Sequence, residues 1–469
     1  MNYRSTRGKA GTTNFTGTVL AGLAEDGGLY VPEQFPRVTS DELKRFADFK
    51  YHHVAQRIFM KLAPDMNASK LWNAVRKVYN PEVFGNVNDG DNADDVVPVR
   101  QIGNDLYLAR LSNGPTLAFK DLGLQMLGHL FEIVLNGRTM NILGATSGDT
   151  GSAAIHAMLG RKGINVFMLS PHQGMSAFQE AQIWGVNDPA IHNLAISGSF
   201  DQCQDVVKAV NADATFKTAF NLGAVNSINW ARIAAQVVYY FWAYSRVCGV
   251  SGKLVDFAVP TGNFGNIYAA YVAKGMGLPV RNLILATNEN DVLHEFFATG
   301  IYKPRAKTIT TSSPSMDITK ASNFERYIYN LLGGDAERVA ELWDELGRTG
   351  RFDLSGMMEA INATGIKSYS VSESEAHSRI RSIHKGTGVI IDTHTAVAMT
   401  AALMSMSHEV PIIVMETAQA CKFNPTIKQI LGIEAPVPAK MEGPMDGGQF
   451  FTRMNPDSEM VKVFITERV

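Results

Sequence analysis

An α/β fold, with a mostly parallel sheet covered by helices on both faces, is what this sequence predicts. Three observations carry that reading. From Val96 onward, short apolar runs alternate with helical stretches. The loops after those runs are rich in Gly, Ser, Thr and Asn, residues that turn a chain and cap a helix. The chain has 469 residues, 45% hydrophobic and 19% charged, which is enough apolar material for two or three packed domains.

Taken in order, residues 1–95 form a small N-terminal unit with helical stretches at 40–61 and 67–79, joined by Ala63-Pro64-Asp65. The unit closes in the Asn/Asp-rich run Gly85 to Asp95, which reads as a linker. Strand-like runs follow at 105–109, 139–143, 164–169, 191–196, 254–259, 282–286, 389–391 and 411–415. Helix-like runs sit between most of them, at 122–135, 150–160, 175–184, 200–211, 229–245, 266–275 and 394–406. Residues 320–383 are more polar and mostly helical, and read as an excursion over the surface.

Composition narrows the function. Lysine and arginine total 43 against 45 acidic residues, a net charge of −2. Such a balance provides no field for nucleic acid or an anionic membrane, so a phosphate ligand needs a local site. The most apolar long stretch, near 231–243, is interrupted by Arg232 and Gln236, and no membrane span is expected. Cys203, Cys248 and Cys421 are far apart and show no C-x-x-C spacing, against a disulfide framework or a zinc site. Residues 1–20 carry Arg4, Arg7 and Lys9 but no apolar signal core, so a cytoplasmic setting is expected.

In open sheets of this kind, ligands bind beyond the carboxyl ends of the strands. Gly144-Ala-Thr-Ser-Gly-Asp-Thr-Gly151 follows one strand and opens a helix. Its glycines admit a ligand to the backbone, and Ser147, Thr150 and the N–H groups of a helix start suit a carboxylate or phosphate. A plain N-cap at Asp149 or Thr150 fits the same residues. Without G-x-S-x-G, Ser147 is a poor hydrolase nucleophile. Gly262-Asn263-Phe264-Gly265-Asn266, after another strand, has two glycines in five residues ahead of a helix, which favours a phosphate cradle over a tight turn. It carries neither a P-loop lysine nor G-x-G-x-x-G. Thr417, after the strand 411–415, offers a hydroxyl that can face a bound ring, although its segment also reads as a loop before a helix at 424–431. Lys120 lies between apolar Leu117-Ala118-Phe119 and a helix start, a setting that lowers a lysine pKa and makes the amine nucleophilic. Alone, it better fits a surface lysine whose stem lies on apolar ground.

Four segments in register resemble the pyridoxal phosphate enzymes of the tryptophan-synthase-β type and, among them, the threonine synthase family. They are Gly114-Pro-Thr-Leu-Ala-Phe-Lys-Asp121, Gly144 to Gly151, Asn226-Ser-Ile-Asn-Trp-Ala-Arg232 and Pro260-Thr-Gly-Asn-Phe-Gly-Asn266. Ser5-Thr-Arg-Gly8 and Asp26-Gly-Gly-Leu-Tyr30 are similar to the family's longer branch, which has an added N-terminal domain, and the resemblance runs to Gly432. It implies an N-terminal domain at 1–95, a large cofactor domain at 96–138 and 226–469, and a small α/β domain at 139–225 inserted within it.

The resemblance also implies roles. Lys120 would hold pyridoxal 5'-phosphate covalently and act as the base. Gly262, Asn263, Phe264, Gly265 and Asn266 would hold the cofactor phosphate, and Thr417 would meet the pyridine nitrogen. Thr146, Ser147, Gly148, Asp149 and Thr150 would receive the substrate carboxylate, with Asp149 near the cofactor ring. Ser227, Asn229 and Arg232 would grip the substrate phosphate, Arg232 through its planar fork. The implied reaction converts O-phospho-L-homoserine and water to L-threonine and phosphate, in a monomer or homodimer. One departure stands out. The family commonly reads Thr-Ala-(His or Gln)-Pro-Ala-Lys-Phe where this chain has Thr417-Ala418-Gln419-Ala420-Cys421-Lys422-Phe423, and loss of the proline predicts a looser loop. Rival readings are a serine/threonine dehydratase or β-replacement enzyme of the same fold, a silent scaffold, and a nucleotide binder. Arg232, Lys120 and the missing P-loop lysine argue against these in turn.

Overall fold

The computed structural model describes residues 1–88, 90–173, 175–439, 441 and 448–469. Two sheets organise the chain. The larger has six strands in the order Ile366–Ser370, Val280–Thr287, Val255–Pro260, Ile412–Glu416, Leu106–Arg110 and Val99–Gly103, all parallel except the last pair. The smaller has five parallel strands in the order Thr452–Met454, Ile191–Ile196, Ile164–Pro171, Met140–Ala145 and Leu222–Gly223. Central strands are buried on both faces and read as continuous apolar runs, as Val255–Pro260 does. Its one charge, Asp256, is paired with Arg281 at 2.6 Å.

The stretch near 231–243 lies inside Trp230–Cys248, a helix buried from Trp230 to Ser245. That burial explains its apolar character, and among the described residues no helix is long and apolar enough to cross a membrane. The N-terminal unit packs on this helix, with the Tyr51 ring 5.5 Å from that of Trp242 and 5.1 Å from that of Tyr79. Its core is therefore continuous with that of the larger sheet.

Several expectations need correction. The helical stretch 40–61 divides into Ser40–Arg45 and Tyr51–Leu62, with a tight turn at Phe46–Asp48 and extended backbone at Phe49 and Lys50 between them. The run 85–95 is no free linker: Asn86 donates to the Gly114 carbonyl at 2.9 Å, and Asp91 pairs with buried Arg110 at 2.8 Å. Residues 389–391 are not a strand but buried packing ahead of the helix Thr393–Ser405. The segment 320–383 is more than a surface excursion, since it supplies the edge strand Ile366–Ser370 and the fully buried Arg326. The run 226–469 does not stay with the larger sheet, because Thr452–Met454 pairs with Ile191–Ile196 of the smaller one.

Candidate active site

The carboxyl ends of both sheets open on a cleft of about 550 Å³. Lys120, Thr146 to Thr150, Ser227, Arg232, Gly262 to Asn266 and Thr417 all line it.

The loop after Met140–Ala145 is shaped from within. Thr146 Oγ1 accepts the N–H groups of Gly148 at 3.0 Å and Gly151 at 2.9 Å, so Thr146 builds the loop instead of presenting its hydroxyl. Gly148 has φ of 150°, a region L-residues rarely adopt. The turn ends at Asp149, the first residue of the helix Asp149–Met158, while Ser147 stays exposed at the cleft mouth.

Lys120 opens the helix Lys120–Leu135. Its Nζ donates to Ser315 Oγ at 3.1 Å and lies 3.6 Å from Asp149 Oδ2. Burial lowers the Lys120 pKa and outweighs the upward pull of Asp149, with the Lys422 and Arg232 charges adding to the lowering. For Asp149 the balance is reversed: burial pushes its carboxyl up, but Lys422 and Lys120 outweigh it and hold it well below the usual range.

The second glycine loop fits a phosphate monoester, the group that pyridoxal phosphate carries. Phe264 has φ of 63° and its ring is anchored in a buried aromatic cluster, 5.2 Å from Phe324 and 5.6 Å from Tyr327. This turn leaves the N–H groups from Gly262 to Asn266 without a partner among the described residues. They gather at the start of the helix Gly265–Gly275, where the macrodipole favours an anion. Asn266 accepts from Tyr240 at 2.6 Å through Oδ1, while its buried Nδ2 has no acceptor among the described residues.

Arg232 is 4% exposed, donates from Nη1 to the Asn226 carbonyl at 2.7 Å, and keeps Nε without a partner. Among the described residues it has no carboxylate partner, and burial pulls its pKa down to about 10, leaving it charged at neutral pH. Ser227 Oγ sits 3.0 Å from Ser322 Oγ. Asn229 departs from the expectation. It caps the helix Trp230–Cys248 by accepting from Ala231 N at 3.0 Å and ties its amide to the Val19 carbonyl at 3.0 Å, away from the cleft. The loop carrying Thr417 is also not loose. Gln419 N donates to the Leu117 carbonyl at 3.1 Å, Gln419 Nε2 reaches Asn86 O and Ser112 O, and Phe119 N donates to Thr417 O at 2.9 Å. These bonds stand in for the missing proline.

Sequence reasoning missed four groups here. Ser315 joins Lys120 to Asp149, donating to Asp149 Oδ2 at 3.1 Å. His394 donates from Nδ1 to Asp392 at 2.8 Å and accepts from Ser315 N at 3.1 Å, a pattern that assigns the neutral Nδ1–H tautomer. Lys422 pairs with Asp149, and Lys320 stands exposed at the cleft rim. An Asp two residues before a His at a helix start was the one available signal.

Residues 2–79 match the threonine synthase N terminus, residues 96–411 the pyridoxal-phosphate dependent enzymes, and residues 395–465 the threonine synthase C-terminal region. Threonine synthase of Methylobacillus glycogenes is 48% identical over all of both chains, and that of Corynebacterium glutamicum 44% identical over all of this chain and 99% of its own. A crystal structure of PLP-bound threonine synthase from Brucella melitensis superposes with a TM-score of 0.94 at 37% identity, covering 100% of this chain and 99% of the other. The chain belongs to the threonine synthase family of pyridoxal phosphate enzymes.

Proposed function

We propose that the protein converts O-phospho-L-homoserine and water to L-threonine and phosphate, with pyridoxal phosphate held on Lys120. The observation that carries this reading is Arg232, a buried cation without a carboxylate partner among the described residues, in the same cleft as the part-buried Lys120. Charged residues lining the cleft are three cations, Lys120, Arg232 and Lys320, against the one carboxylate of Asp149. That excess suits two phosphates, one on the cofactor and one on the substrate. A dehydratase acting on serine has no second phosphate to offer.

When bound, the cofactor supplies an electron sink that acidifies the carbons next to the substrate amine. The N–H groups of Gly262 to Asn266 and Asn266 Nδ2 hold its phosphate. Thr417, buried at the strand end, would offer a neutral hydroxyl to its ring nitrogen. The start of the helix Asp149–Met158, with Ser147 and Thr150, receives the substrate carboxylate. Arg232 and Ser227 grip the leaving phosphate. Lys120, whose pKa burial lowers, would remove the α-proton, pass that proton on, and then remove a β-proton. Ser315 and Asp149 hold the amine between these transfers.

Three free thiols fit the reducing cytoplasm as its compartment, and we infer a monomer or homodimer acting on a small molecule. Incubation of the holoenzyme with O-phospho-L-homoserine tests the reading. Threonine and inorganic phosphate in equal amounts are expected, whereas turnover of serine or threonine with no turnover of the phosphorylated substrate would overturn it.

A further inference from the structure

Behind the cleft lies an ion pair that links the two halves of the enzyme. Lys422, from the turn after Ile412–Glu416 in the larger sheet, is 1% exposed in its side chain. Its Nζ meets three acceptors: Asp149 Oδ1 at 2.9 Å, the Thr116 carbonyl at 2.6 Å and Gln182 Oε1 at 3.3 Å. Two hydrogen bonds and the ion pair fix where the ammonium lies. Asp149 belongs to the smaller sheet. With Oδ1 taken by Lys422, its Oδ2 is left for Ser315 and Lys120. Lys422 itself does not line the cleft.

We propose that Lys422 is a positioning residue, which keeps Asp149 ionised and aimed at Lys120 and so sets the pH at which Lys120 acts as a base. The groups facing Asp149 are Lys120 on Lys120–Leu135, Lys422 on the turn after Ile412–Glu416, and His394 on Thr393–Ser405. Those facing Lys120 are Asp149, Lys422 and Arg232. Once the Lys120 amine is committed to the cofactor, Lys422 is the cation that still opposes the burial of the Asp149 carboxylate. Its charge also disfavours a proton on Lys120, so its removal shifts both groups toward the protonated form. This rests on the roles proposed above for Lys120 and Asp149.

The test compares holoenzymes of wild type, Lys422→Gln and Lys422→Arg. Each is followed by the pH dependence of turnover and, without substrate, by spectrophotometric pH titration of the cofactor band. Lys422→Gln should move the acid limb of kcat up by about one pH unit or more and lower kcat about tenfold at pH 7. KM should change less than about threefold, because the residues proposed to grip phosphate are untouched. Lys422→Arg should keep the limb near that of wild type. If Lys422→Gln does not fold, the double variant Lys422→Gln/Asp149→Asn, which leaves no buried charge unpaired, replaces it. Its acid limb should lie above that of Asp149→Asn alone, because the Lys422 charge disfavours a proton on Lys120 in both backgrounds, and its kcat should be lowered. A folded Lys422→Gln with the wild-type limb and titration overturns the proposal, as does a double variant with the limb of Asp149→Asn or a loss that is equal at every pH. Wild type inactive on O-phospho-L-homoserine would instead sink the functional reading, and the substrate-free titration would still decide the role of Lys422.

Discussion

Replacing Arg232 with methionine keeps most of the side-chain volume and removes the charge. In the protein as it stands, the guanidinium is 4% exposed, spends one N–H on the Asn226 carbonyl and leaves Nε free. If two of its N–H bonds hold the substrate phosphate, each charge-assisted bond contributes about 1.5–3 kcal/mol. Their joint loss is about 3–6 kcal/mol, or roughly a 100- to 10,000-fold fall in kcat/KM. Most of it should appear in KM, since the phosphate is gripped before any bond breaks. Stability should move the other way. A buried cation without a carboxylate partner is a burden on the empty fold, so the methionine variant should melt no lower than wild type. Inorganic phosphate should raise the Tm of wild type and leave the variant's unchanged. Phosphate release measured against O-phospho-L-homoserine concentration is the assay. A KM within about threefold of wild type would remove Arg232 from the substrate site.

Other perturbations probe the rest of the architecture. Lys120→Ala should abolish both the near-violet absorbance of the lysine-bound cofactor and turnover, and an unchanged spectrum would exclude Lys120 as the attachment point. Gly148→Ala forces a side chain onto φ of 150° and against Gln179, at a cost of about 1–3 kcal/mol. It should lower Tm in a thermal melt and kcat/KM by about tenfold, and wild-type values for both would show that the loop can relax. Burial pushes Glu416 up to about 7, despite Arg110 at 3.3 Å. Its folded pKa lies above the unfolded value of about 4.3, so the fold favours the protonated form and stability is lost as pH rises from about 4 through 7. Glu416→Gln should flatten that part of the pH dependence in chemical denaturation, and a slope equal to wild type would contradict the assignment.

Much of the site was legible because its chemistry is carried by backbone-shaping residues that sit together in the chain. Glycines at strand ends and a lysine at a helix start are local features, and the two sheets bring their loops to one cleft. What escaped were partnerships made in space. Ser315 lies far along the chain from both Lys120 and Asp149, and Lys422 was visible in its run without any sign of the carboxylate it meets. Asn229 was misread because asparagine serves equally as a ligand and as a helix cap, and here the cap takes it. The strand Ile366–Ser370 was hidden by its composition, since only Ile366 is buried and the residues after it are partly or fully exposed at the sheet edge. The C-terminal strand is short and mostly exposed, so no alternation marks it.

That C-terminal strand has a bearing on how the molecule is made. Thr452–Met454 completes the smaller sheet beside Ile191–Ile196, and the helix Ser458–Thr466 follows it. During synthesis the chain runs through the whole larger sheet before this edge can be filled. The edge of the smaller sheet beside Ile191–Ile196 stays open until Thr452–Met454 has been made, a pairing of high sequence separation. A truncated chain stopping short of Thr452 would leave Ile191–Ile196 as an unpaired strand edge, ready to aggregate.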